Sequence, residues 1–364
     1  MVRDDAGLSD TVARVGGSIP GTRPPVDPSR AALRAPRFVA LGGGTGLPAV
    51  LKGLMERLFP LGRRRVPARD RDRLTAIVTM ADDGGSSGRL RRAYRVPSPG
   101  DIRNCLLALS HETDLATIFS FRFNGHDEQG LTGHSLGNLI LTALSQVESD
   151  FSKAVLRASR ILEIRGRVLP ATLDDVSLVA EYLGGGTVEG ESHIAMAGRA
   201  IRRVRIRPAG ARVLPQAREA IAAADLIVIG PGSLYTSLIP ILLIRDLADS
   251  VVRSCARVAL VMNLMAEPGE TEGYTPADML RAIRRHAPRI PIHDVLLNSA
   301  PIPTDRLGPY VLQGAAPIPV DIQGLRALGC RPVLRDLLGP GPLIRHDPGK
   351  LARALIELAS GSRP

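Results

Sequence analysis

The stretch Arg37-Phe38-Val39-Ala40-Leu41-Gly42-Gly43-Gly44-Thr45-Gly46-Leu47-Pro48 decides the fold. Residues 37–41 form a short apolar run that reads as a buried parallel strand, and helical spacing begins at Leu47. A strand that ends in glycines ahead of a helix sets bare backbone N–H groups at its carboxyl edge, which favours a nucleotide-like anion. The pattern returns twice. Residues 74–79 run into Asp82-Asp83-Gly84-Gly85-Ser86-Ser87-Gly88, and residues 226–229 run into Gly230-Pro231-Gly232-Ser233-Leu234. The spacing predicts an α/β chain with a Rossmann-like, mostly parallel sheet and helices on both faces. The first two glycine turns read as the two sides of one phosphate pocket.

Outward from that core, a helix is expected over 47–58, then an insertion carrying Arg63-Arg64-Arg65, then the second strand. Pro97 to Asp101 reads as a turn, with Asp101 placed to cap a helix over 102–110. Gly133-His134-Ser135-Leu136-Gly137-Asn138 opens a helical run to 147, and 151–164 has helical spacing. A small β-rich insert is expected at about 175–210, with strands near 177–183, 187–194 and 201–207. Residues 258–263 and 295–298 are two further strands. The organisation read from these signals is a flexible extension over 1–36, one nucleotide-binding α/β domain over 37–358, and a short tail over 359–364.

Composition narrows the function. The 364 residues carry a formal charge of +11, but only Lys52, Lys153 and Lys350 among the 47 basic residues are lysines. Scattered arginines, 3% aromatics and no tryptophan supply few stacking platforms, so no nucleic-acid partner is expected. Cys105, Cys255 and Cys330 stand far apart with no C-x-x-C pair, which argues against a disulfide framework or structural zinc and makes a reducing cytoplasm the default. The N-terminal residues lack a continuous apolar segment of the secretory kind. The apolar run 226–244 is broken by Gly230-Pro231-Gly232-Ser233, Thr236, Ser237 and Pro240, so no membrane span is predicted.

The glycine turns fit no common nucleotide motif. Gly42 to Gly46 lacks the Gly-Lys-Ser/Thr ending of a Walker A loop, and Leu47 stands where a G-x-G-x-x-G loop would place its last glycine. Phosphate contact by these N–H groups and by the Thr45 hydroxyl is set against a plain strand-to-helix turn. Asp82 and Asp83 have three readings: a ribose contact, magnesium ligation, or a cap on the following turn. Ser86 and Ser87 could meet a second charged group, with Arg89 neutralising it or simply solvated. Asp101 is read as helix cap or catalytic group, while His134, Ser135 and Asn138 share one helix start and could bind substrate.

The runs 42–48 (GGGTGLP), 81–91 (ADDGGSSGRLR), 99–106 (PGDIRNCL), 133–139 (GHSLGNL), 165–172 (RGRVLPAT), 229–237 (IGPGSLYTS), 263–265 (NLM), 268–274 (PGETEGY) and 345–348 (RHDP) resemble the CofD/YvcK-like family, in its YvcK branch, over about 37–358. The resemblance implies a cytoplasmic regulator, a gluconeogenesis factor, that binds UDP-sugars such as UDP-N-acetylglucosamine or UDP-glucose. Such a factor serves normal cell shape and growth on gluconeogenic carbon sources. It also implies a ligand site of Gly43, Gly44, Thr45, Gly46, Asp82, Asp83, Ser86 and Ser87, joined by Asn138, Gly232, Ser233 and Leu234 and by Tyr310 and Arg345 in the C-terminal part. No cofactor is required on this reading, a protein partner is expected, and a homodimer is allowed. The sister branch, a 2-phospho-L-lactate transferase, uses magnesium and a nucleotide-diphosphate donor. On that alternative Asp82 and Asp83 would hold the metal.

Overall fold

The computed structural model describes residues 35–59, 66–111, 113–125 and 130–361. Residues 1–34 of the expected extension, the arginine run 63–65 and the last three residues of the expected tail lie outside the described residues. Three strands come first, β1 (Phe38–Gly42), β2 (Leu74–Val78) and β3 (Arg167–Pro170). Then follow β4 (Ser177–Tyr182), β5 (Thr187–Glu189) and β6 (Ile201–Arg207). The last four are β7 (Leu226–Ile229), β8 (Arg257–Val261), β9 (Asp294–Asn298) and β10 (Arg331–Arg335).

The main sheet has the order β10-β9-β8-β7-β1-β2-β3, and every neighbouring pair is parallel. Strands β1, β2 and β7 are buried along their whole length, as a sheet covered on both faces requires. The chain steps outward from β1 to β3, returns to lay β7 against the other side of β1, and then steps the opposite way. Right-handed crossovers running in opposite directions put their helices on opposite faces, and the reversal between β1 and β7 opens a crevice at the carboxyl edge. The two strands missing from the sequence reading, β3 and β10, are the two edges of this sheet. β3 alternates buried and half-buried positions and β10 exposes both terminal arginines, so neither shows the continuous apolar run of the centre.

Strands β5, β4 and β6 form a separate antiparallel sheet, the expected insert. The expected strand 187–194 stops at Glu189. Gly190 takes φ +103° and a helix Glu191–Ala197 follows, its Ser192 N–H bound by the Asp83 carboxylate 109 residues away in sequence. The expected helix 151–164 ends at Ile161, and the one opening near 133 starts at Leu136, after Ser135 accepts the Asn138 N–H. Among the described residues no helix is long and apolar enough to cross a membrane, and Cys105, Cys255 and Cys330 are free thiols.

The helix Leu47–Leu58 buries Leu47, Val50, Leu51, Leu54 and Leu58, a stripe of helical period, and packs against the helix Pro348–Ser360. Their approach is close. A Cβ on Gly53 would fall 1.9 Å from the Pro348 carbonyl oxygen, a backbone atom that cannot rotate away. Gly53→Ala is therefore expected to cost about 1 to 3 kcal/mol of unfolding free energy through overpacking, read by urea denaturation. A variant as stable as the wild type would show that these helices can slide apart freely.

Candidate functional site: a cleft at the sheet's switch point

The turns after β1 and β7 meet across the crevice. A Cβ on Gly46 would lie 2.5 Å from the Pro231 carbonyl oxygen, and one on Gly44, where φ is +65°, would lie 3.3 Å from Ser237 Oγ. Only glycine allows both approaches. The turn after β7 is fixed from the next strand: Asn263 Oδ1 accepts the Gly232 N–H at 3.0 Å and Asn263 Nδ2 donates to the Gly232 carbonyl at 3.0 Å. Each turn leads into a helical start, Leu47–Leu58 on one side, with no side-chain cap, and Leu234–Leu238 on the other, whose Tyr235 N–H is taken by the Glu270 carboxylate. The start of Leu47–Leu58 turns its free N–H groups toward the crevice, which favours negative charge there.

The crevice is a cleft of about 790 Å³. Gly44, Thr45, Gly46, Pro231, Gly232 and Ser233 form its polar end, with Lys52, Asn104, Asn263 and Glu267 beside them. Leu264, Met265, Ala266, Ala315 and Ile344 form an apolar wall, completed by Tyr310, Gln313, Arg345 and His346. The Tyr310 hydroxyl accepts the Ile344 N–H at 2.9 Å, which ties the wall's two segments together. Burial raises the Glu267 carboxyl, with a Ser233 hydrogen bond opposing.

Behind the first turn lies a second, acidic cluster. Asp101 was expected to cap a helix, but that helix runs from Gly100 to Leu109 with Pro99 at its cap, and the Asp101 carboxylate instead accepts the Gly44 N–H at 2.8 Å. The helix starts two residues early, at the Pro-Gly pair, and Asp101 lies in its first turn against the glycine loop. Asp82 accepts the Gly84 N–H and the Ser98 hydroxyl, each at 2.9 Å. Asp83 accepts the Ser192 N–H at 2.9 Å and its hydroxyl at 2.8 Å. Burial and Asp82 push Asp101 up to about 6, against the Gly44 hydrogen bond and Arg103. Burial, then Asp82, Asp83, Asp101 and Glu270, push Glu191 up to about 8. Burial and Glu267 push Glu270 up to about 7, although it accepts hydrogen bonds from the Tyr235 N–H and the Thr236 hydroxyl.

Of the expected site residues, Gly44, Thr45, Gly46, Gly232, Ser233, Tyr310 and Arg345 share the cleft. Gly43 sits just behind it, where a Cβ would lie 2.5 Å from both Asp101 Oδ2 and Thr79 Cγ2. The Leu234 side chain is fully buried in the core. Asp82, Asp83, Ser86, Ser87 and Asn138 do not line the cleft. They gather near Asp101 and Gly100, with Ser86 Oγ 2.8 Å from His134 Nδ1 and receiving Asn138 Nδ2 at 3.1 Å. The cleft thus pairs the first glycine turn with the third, because β7 rather than β2 marks the reversal of the sheet. Sequence reasoning left Lys52, Asn263, Glu267 and His346 out of the site. Asn263 and His346 stood within the quoted runs 263–265 and 345–348, and their polar side chains beside a strand end or a Pro were the available signal.

The acidic cluster gives a pH test. A carboxyl held near 8 in the fold and near 4.5 when the chain unfolds keeps its proton longer in the native state, so Glu191 lowers stability as pH rises from about 5 to 8. Glu191→Gln is expected to flatten the fall of the thermal midpoint across that range, measured by differential scanning fluorimetry. Equal slopes for variant and wild type would mean that Glu191 does not titrate there.

The model of the family described as 2-phospho-L-lactate transferase CofD matches residues 38–338. A Nostoc sp. protein is 45% identical over 337 residues, covering 92% of this chain and 71% of its own. The Bacillus subtilis protein named gluconeogenesis factor is 43% identical over 327 residues, covering 89% of this chain and 98% of its own. A crystal structure of a Bacillus halodurans member of the UPF0052 family superposes with TM-score 0.81 at 40% identity, covering 89% of this chain and 99% of that one. The chain therefore belongs to the CofD family, within the branch whose members carry the name gluconeogenesis factor.

Proposed function

We propose that this protein is a regulatory nucleotide-sugar-binding protein of the gluconeogenesis-factor kind, which takes a UDP-sugar in the switch-point cleft. The observation that carries the reading is the close meeting of two glycine turns, at Gly46 and at Pro231 to Ser233, on one cleft with an apolar far end. A diphosphate fits the polar end, where backbone N–H groups and helix dipoles favour negative charge. The base and sugar take the wall formed by Met265, Tyr310, Ala315 and Ile344. Occupancy is then reported to a protein partner, in the service of cell shape and growth on gluconeogenic carbon sources, in the cytoplasm.

The family match favours a second reading, a transferase acting on a nucleotide-diphosphate donor. Its magnesium would fall to Asp82 and Asp83. Both Asp82 oxygens are already hydrogen-bonded and Asp83 caps the helix Glu191–Ala197. Among the described residues no three His, Cys, Asp or Glu side chains are arranged to hold a metal ion. Two carboxylates can serve a magnesium ion whose other ligands are water and the donor's phosphates, so titration with and without magnesium separates this reading from the first.

Isothermal titration with UDP-N-acetylglucosamine, UDP-glucose, GDP and NAD, each with and without magnesium, separates the readings. Binding confined to the uridine nucleotides, unchanged by magnesium and without product, is the expected result. GDP binding that requires magnesium, or turnover of any donor, would replace the regulator by the transferase. Thr45→Ala is expected to weaken nucleotide-sugar binding by about 1 to 2 kcal/mol through one lost hydrogen bond to a charged group, with folding intact. Unchanged affinity would remove Thr45 from the site.

A further inference from the structure

Strand β6 is the outer strand of the insert's sheet, and its sequence Ile201-Arg202-Arg203-Val204-Arg205-Ile206-Arg207 buries Val204 and Ile206 while exposing every arginine. Strand alternation puts Arg203, Arg205 and Arg207 on one outward face, about 6.6 Å apart along the chain. The end of the helix Pro276–His286 is fixed against this strand. His286 Nε2 accepts the Val204 N–H at 3.0 Å, His286 Nδ1 lies 2.7 Å from the Ala282 carbonyl oxygen, and Arg285 donates to the Arg202 carbonyl at 3.4 Å. Both ring nitrogens are thereby used in a neutral imidazole. Burial pushes the ring below its usual range, and Arg203 and Arg285 push it the same way, against the Ala282 hydrogen bond. The two guanidiniums thus act on one ring, and Arg285 stands at the head of the β6 row.

The arginines here are served unequally. Arg205 pairs with Glu181, Arg207 with Glu189 at 2.8 Å, Arg281 with Asp278 at 2.8 Å and Arg289 with Asp249. Among the described residues Arg203 and Arg285 have no carboxylate partner. The pairs of Arg205 and Arg207 are open to solvent, where such pairs contribute little and are readily exchanged for others. A guanidinium is best met by a carboxylate or phosphate that takes two parallel N–H groups. Neither β6 nor the helix Pro276–His286 exposes a large apolar side chain to enter a membrane or an aromatic ring to stack on a base, which favours carboxylates of a protein. An extended acidic segment also repeats its side chains at the two-residue spacing of β6.

We propose that the outward face of β6, with Arg285 at its head, docks an extended acidic segment of a protein partner, whose alternate carboxylates take Arg203, Arg205 and Arg207. The surface adjoins the third glycine turn through His286, whose ring meets that of Tyr235 edge-on at 5.9 Å, and Tyr235 belongs to the helical start Leu234–Leu238. As the dock of a sensor's partner it rests on the regulatory reading. As an acid-binding surface it is independent of what fills the cleft.

The test is calorimetric titration of the full-length chain with a twelve-residue peptide alternating glutamate and threonine, at low and at physiological salt. The surface variant is Arg203→Glu with Arg285→Glu. A control of equal net charge is Arg160→Glu with Arg353→Glu, on the exposed sides of the helices Phe151–Ile161 and Pro348–Ser360. The surface variant is expected to weaken peptide binding at least about tenfold and the control less than about threefold. Equal weakening by both, or no binding by the wild type at low salt, would overturn the proposal. Tighter binding of a twelve-nucleotide single strand or of phosphatidylserine vesicles, lost in the surface variant, would overturn it in favour of a nucleic acid or a membrane. If the doubly reversed chain does not fold, Arg203→Gln and Arg285→Gln singly are each expected to weaken peptide binding by about threefold, and unchanged affinity in both would sink the proposal. Titration with UDP-N-acetylglucosamine keeps the readings apart. A wild type that binds the nucleotide sugar but not the peptide loses the dock alone, and one that binds the peptide at this surface but no nucleotide sugar loses the cleft reading alone.

Discussion

The contact on which the site depends is one backbone against another: the Pro231 carbonyl lies where any side chain at position 46 would begin. A Cβ there would meet the carbonyl oxygen at 2.5 Å and its carbon at 2.8 Å, closer than nonbonded atoms approach. The glycine is thus a consequence of the topology. Strand β7 returns from the insert to lie directly beside β1, and their turns emerge at the same edge with only main chain between them. Had either turn carried a bulky residue, the two turns would stand further apart and would no longer share one cleft.

Carboxylates take main-chain N–H groups at both turns, Asp101 that of Gly44 and Glu270 that of Tyr235. The Asp101 carboxylate holds the Gly44 N–H from behind the cleft. The arrangement is tolerable because the acids are handled separately. Asp82 and Asp83 are satisfied by Gly84, Ser98 and Ser192, while Asp101 and Glu191, more deeply desolvated, are pushed toward the protonated state. The chain's net charge of +11 does little to relieve this cluster. Many of its arginines are paired or exposed elsewhere, as with Arg257 and Arg331 on the fully buried Asp294 at the far end of the sheet.

How much of this was legible in the sequence follows from how local each cause is. Continuous apolar runs made the five inner strands readable to within a residue or two, and the helix 47–58 was readable in full, because burial on both faces and helical period are written in adjacent residues. The edge strands β3 and β10 were not, since an edge needs to satisfy only one neighbour and carries arginines at its ends. The same distinction divides the site. The glycines of the first and third turns announced themselves, but their pairing with each other required strand order, which no local pattern encodes. Asp101 looked like a helix cap because the capping signal is local. Its actual partner, Gly44, is 57 residues away.

The insert gains its place from the same long-range bonds. Asp83 ends the path from β2 and caps the helix Glu191–Ala197, and the Glu191 carboxyl lies beside Gly84, where a Cβ would be 3.8 Å from its oxygen. Gly44, Asp101, Asp82 and Glu191 therefore form one contiguous series from the cleft to the insert, joined by hydrogen bonds or by mutual repulsion of carboxyls. The Gly44 N–H is one of the groups that favour the ionised form of Asp101, against burial and Asp82. Contiguity alone does not make a signal, because coupling requires two arrangements of comparable energy. With Asp101 held at about 6 and Glu191 at about 8, one arrangement prevails near neutral pH, Asp101 ionised and Glu191 protonated.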